Sequence, residues 1–215
     1  MNLNRPPGID IKFIPGMGRD PARRHMWGVE KALEWGATHI CFLGADQMHD
    51  MDILEKFVTH IENGWPMVTA MVPVRGWVPV LGVDKPFQKL AWAWKDGNRE
   101  PIFDQEHMKV VTPKDGPLVE ICCIGSGAII FDVDLLLALK KPWFKEAEAD
   151  EDAKRPAKMD TTFVWRLCTE AGGRLLCDTT INVTHLDVFP IDDSFPDRFA
   201  DWPRDNAKEA IRRDM

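Results

Sequence analysis

Ala37-Thr38-His39-Ile40-Cys41-Phe42-Leu43-Gly44-Ala45-Asp46 is a short apolar run that stops at two small residues and a carboxylate. Helices need at least about 10 residues, so a run this short between Gly36 and Gly44 reads as a strand. Upstream, Asp20 is an N-cap and Pro21 fits the first helical position, so a helix is expected from Ala22 to Trp35, closed by Gly36. Downstream, Asp50 or Asp52 opens a second helix, in which Ile53, Leu54, Phe57, Val58 and Ile61 share one face, and Asn63-Gly64 ends it. Met67 to Val74 is a further apolar strand. Ahead of all these, Ile9 to Ile14 alternates and ends at Pro15-Gly16, which predicts another strand. Strand, helix, strand, helix, strand is the alternation of an α/β domain, a parallel sheet covered by helices.

The later chain is less regular. Arg75 to Lys114 holds Trp77, Trp92 and Trp94 among Pro, Gly and charges, and predicts irregular hairpins and a loop. Val119 to Phe131 is apolar except for Glu120 and the interruption Gly125-Ser126-Gly127. A helix from Val133 to Lys140 stops before Pro142. Lys145 to Lys158 is charged and lacks apolar anchors, the composition of a mobile loop. Asp160 then caps a helix bearing Phe163, Val164, Leu167, Cys168 and Ala171, which Gly172-Gly173 ends. Strands follow at Arg174–Cys177 and Ile181–His185. After Asp187, an acidic tail with Pro190, Pro196 and Pro203 is expected to wrap the surface, with a closing helix near Ala207–Arg213. The expected organisation is a single domain over 1–187 with a tail over 188–215.

Composition narrows the class. A chain of 215 residues buries one substantial core. With 45% hydrophobic and 28% charged residues, disorder is not its main state. Lys plus Arg number 27 against 34 Asp plus Glu, a net charge of −7, so the bulk basic character of a nucleic-acid binder is absent. No apolar run has the length of a membrane span, and the opening MNLNRPPG lacks the apolar stretch of a signal peptide. The five cysteines form no CxxC pair and mostly sit among Ile, Leu and Val; they read as buried thiols of a reducing, cytoplasmic compartment.

Four features are able to carry chemistry. Asp46 ends a strand, where open α/β sheets bind ligands, and one or two carboxylates suffice to hold a hard divalent cation on phosphates. Gly125-Ser126-Gly127 lets backbone or ligand approach closely. Asp160 is a carboxylate suited to general-base work. His185 ends a late strand and offers an imidazole to a metal. Each also has a structural reading: a turn Asp, a strand bulge, an N-cap and a packed histidine.

Together, in this order, they resemble the GT-A glycosyltransferases, specifically the family 2-like nucleotide-sugar enzymes common in microbial and viral genomes. Ala22-Arg23-Arg24 resembles the Ala-Arg-Asn that opens a helix in that group. Ala37 to Asp46 resembles the strand ending in the Asp-x-Asp motif, and Ile124 to Ile130 the glycine strand beside the donor sugar. Pro142-Trp143-Phe144, the charged loop and Met159-Asp160 are similar to the Pro-Trp-Phe segment and the Glu-Asp base motif. Ala171 to Arg174 leading to Val183-Thr184-His185 is similar to the late strand with its metal-binding His.

The resemblance implies a GT-A, Rossmann-like mixed sheet flanked by helices. It implies a transferase that moves a sugar from a nucleotide-sugar donor to an acceptor hydroxyl with inversion. Asp46 and His185 would hold Mn²⁺ or Mg²⁺ and Asp160 would be the catalytic base. Arg24, Gly44, Ala45, Gly125, Ser126, Gly127 and Trp143 would border donor or acceptor. The implied acceptor is a glycan, a protein or a hydroxylated DNA base, the last tracked by Arg75, Arg99 and Lys114. A viral member would act in the host cytoplasm. Three positions depart from the pattern: Gly44 stands where the first Asp is usual, Met159 replaces the usual Glu, and Ile9–Ile14 resembles the family's second strand, leaving its usual first strand and helix without a counterpart. Those departures keep an alternative in view, a catalytically degenerate GT-A domain that binds a sugar or a partner. A nucleotidyltransferase is a third reading, for which Gly16-Met17-Gly18-Arg19 is a faint phosphate loop.

Overall fold

The first helix, α1 (Pro21–Trp35), begins where the capping chemistry puts it. Asp20 accepts the Arg23 N–H, Pro21 fills the first turn, and Gly36 closes the last at φ 81°. A computed structural model describes residues 3–18, 20–74, 87–97, 99–145, 156, 158–186 and 190–191. After α1 come β1 (His39–Leu43), β2 (Gln47–His49), α2 (Ile53–Glu62) and β3 (Met67–Ala70). A hairpin of β4 (Ala91–Trp94) and β5 (Met108–Val111) follows, then β6 (Leu118–Ile121), β7 (Ala128–Asp132) and α3 (Val133–Ala138). The last elements are α4 (Met159–Thr169), β8 (Leu175–Asp178), β9 (Val183–Leu186) and β10 (Pro190–Ile191).

The main sheet has the order β1-β7-β3-β8-β6. Only β3 and β8 pair in parallel; β7 lies between β1 and β3, antiparallel to both, and β6 is antiparallel to β8. The domain is therefore α/β with a mixed sheet, and the fully parallel sheet suggested by its first half is interrupted by a strand from much later in the chain. Strand alternation divides the core in two. Val68, Ala70, Ala128 and Ile130 meet Ile53, Leu54 and Phe57 of α2 on one face. Met67, Ile129 and Phe131 face the larger cluster built with Val29 and Ala32 of α1 and Phe163 and Leu167 of α4. A sheet covered on both faces needs apolar residues at successive positions, and β7 supplies them.

The described part of the tryptophan-rich stretch folds as the β4–β5 hairpin and packs through its rings, while Trp77 lies outside the described residues. Trp94 lies 5.7 Å from Trp165, and Phe103 lies 5.6 Å from Trp92 and 5.5 Å from Trp165. Trp92 also accepts and donates backbone bonds with Cys122 and Cys123, which fixes the start of the loop leading to Gly125.

Two expectations are corrected. Ile9–Ile14 joins no sheet among the described residues, and Ile9 is 43% and Phe13 55% exposed. Asp160 is not the N-cap of α4. Lys158 holds that position, and Asp160 is the second helical residue. Of the two residues expected to open α2, Asp52 holds the N-cap position, without a side-chain bond, while the Asp50 carboxylate takes the Asn182 N–H at 3.0 Å and Lys56 at 3.2 Å, tying α2 to the residue before β9. The charged loop falls largely on residues 146–155 and 157, and the tail and its closing helix on 192–215; both lie outside the described residues.

Phe163 anchors α4. It is fully buried, with ring centroids 4.4 Å from Phe144 and 5.5 Å from Phe131. Phe163→Ala should cost about 3–5 kcal/mol in urea unfolding, and Phe163→Leu distinctly less because more of the volume is kept.

Candidate functional site

The β1–β7 ladder ends at Leu43 opposite Ala128. One further bond continues past it: the Gly44 N–H donates to the Gly127 carbonyl at 2.7 Å. The chain then turns at Ala45-Asp46 into β2, which pairs antiparallel with β9 so that Gln47 faces His185. The Asp46 carbonyl accepts the Leu186 N–H at 2.7 Å. The turn is thus clamped on two sides, once to the glycine loop and once to the strand of His185.

His185 is aimed by a second bond. Its Nδ1 lies 2.9 Å from the Pro73 carbonyl. A carbonyl only accepts, so Nδ1 carries a proton there. Nε2 lies 3.4 Å from Asp46 Oδ2, with the His185 side chain 15% and the Asp46 side chain 53% exposed. A carboxylate and an imidazole nitrogen are donor types that a divalent cation takes.

Asp160 reaches the same loop from α4. A Cβ built on Gly125 would stand 3.0 Å from Asp160 Oδ2. Asp46, His185 and Asp160 are therefore linked through one short path of backbone, Gly44 to Gly127 to Gly125. Ser126, between them, is buried, and Ala45 is exposed on the turn.

Two glycines have a reason that sequence alone does not display. A Cβ on Gly44 would stand 2.6 Å from Gln47 Cδ, and one on Gly127 would stand 2.3 Å from Gln47 Nε2. Both glycines make room for the Gln47 amide, which is 8% exposed.

Other expected residues lie elsewhere. Arg24 is on the first turn of α1, where its Nε donates to the Gly18 carbonyl at 3.0 Å. Trp143 is 3% exposed; it packs in the core rather than presenting an open face, and its carbonyl receives Arg166 Nη1 at 3.0 Å. Arg99 binds Glu120, with its guanidinium over Trp94, while Arg75 lies outside the described residues.

Gln47 and His49 are the neighbours that sequence reading passed over. Both ring nitrogens of His49 are shielded from solvent and make no well-formed hydrogen bond. Burial holds this imidazole below its ordinary proton affinity, against the Gly44 backbone and the carboxylates of Asp46 and Asp50, which pull it up. The only available signal was alternation, and a strand of three residues is too short to display it. Cys123, near Asp160, is no nucleophile, since burial pushes its thiol well up.

Two further features stand apart from this convergence. Asp104, Glu106 and His107 bring ligand atoms within 4.8 Å of one another. Asp104 Oδ1 there takes the N–H groups of Glu106 and His107 and meets His107 Nδ1 at 2.6 Å, which closes a turn. A cleft of about 430 Å³ lies along α4, lined by Thr162, Trp165, Arg166 and Thr169 with Pro101 and Lys145. It uses a different face of the helix from Asp160.

No family model and no curated protein matches the chain. Among solved structures, A197 from STIV is similar with a TM-score of 0.51 at 15% identity, over 82% of this chain and 74% of that one. The likeness is one of fold, a single domain with a mixed sheet flanked by helices, consistent with a Rossmann-like GT-A architecture. Among the described residues, no helix is long and apolar enough to cross a membrane.

The glycine slot is open to a direct check. Gly127→Ala should displace the Gln47 amide and cost about 1–3 kcal/mol. Removing that side chain with Gln47→Ala should relieve most of the cost, so a double-mutant cycle read by urea unfolding should give a coupling above about 0.5 kcal/mol. Additive costs would place the amide outside the slot.

Proposed function

We propose that the chain is a metal-dependent glycosyltransferase that moves a sugar from a nucleotide-sugar donor to an acceptor hydroxyl with inversion. One observation carries the reading. The Asp46–His185 pair and the Asp160 carboxylate are linked through the bonded loops Gly44–Asp46 and Gly125–Gly127, at the end of β1, the edge strand of the main sheet.

The residues fit the roles the reading needs. Asp46 and His185 Nε2 are the atoms that would hold Mn²⁺ or Mg²⁺. Such a cation supplies Lewis-acid stabilisation of the leaving diphosphate. Asp160 accepts the proton of the attacking hydroxyl from its place in the first turn of α4. The absence of a side chain at Gly125 leaves the face of that carboxylate open to a reacting group. The clamped turn keeps Asp46 in place without reorganisation, the condition under which electrostatic stabilisation is largest. The acceptor class is a hydroxyl of a glycan, a protein or a hydroxylated nucleobase.

A second reading is favoured by one feature, the lack of a carboxylate at Gly44, where the Gln47 amide fills the space. It makes the domain a sugar- or partner-binding module without catalysis.

Thermal shift with nucleoside diphosphates and their sugars, with and without Mn²⁺, separates the two. A ligand at about 100 times its Kd stabilises by roughly 2.7 kcal/mol. The enzyme reading expects a metal-dependent shift that Asp46→Ala abolishes. It also expects Asp160→Asn to keep that shift while transfer falls about 10²–10⁴-fold. A metal-independent shift with a free sugar, and no transfer, would favour the binding module.

A further inference from the structure

We draw no further inference here: the strongest candidate, the cleft of about 430 Å³ along α4 lined by Thr162, Trp165, Arg166 and Thr169, lies on a different face of the helix from Asp160, and nothing in the structure shows what occupies it.

Discussion

The hydrogen bond from Gly44 N–H to the Gly127 carbonyl joins two loops that are far apart in sequence. It extends the β1–β7 ladder by one step, beyond the last pair of regular strand residues. The loops that carry Asp46 and Gly125 are placed by that step. It sets where Asp46 turns, and so which residue of β2 lies opposite His185. It also fixes the loop against which Asp160 rests. The bond in turn depends on β7 running between β1 and β3, and that strand order depends on burial. Ala128 to Phe131 are apolar on both faces and are stable only at the centre of a sheet covered by helices.

Local chemistry made much of the fold legible. Asp20, Pro21 and Gly36 bound α1 because capping and proline geometry act within a few residues. The run from His39 to Leu43 is a strand for similarly local reasons. What failed was whatever needed a partner. Ile9 to Ile14 alternates like a strand, but alternation is useful only beside another strand, and among the described residues it pairs with none. The position of β7 is a pairing across 60 or more residues, which no period along the chain records. Asp160 looks like a cap because Asp caps well; that Lys158 takes the position follows from where the chain enters α4. Trp143 looks like a ligand platform until the core closes over it.

The candidate site was legible as separate residues and not as an arrangement. Asp46 and His185 are 139 positions apart and meet because β2 pairs with β9. The glycines carry a different lesson. Gly44, Gly125 and Gly127 are each small where a side chain would collide, but with different neighbours: the Gln47 amide for two of them and the Asp160 carboxylate for the third. A glycine in a motif marks a close approach without saying what approaches. Here much of the close packing is supplied by the protein's own polar side chains.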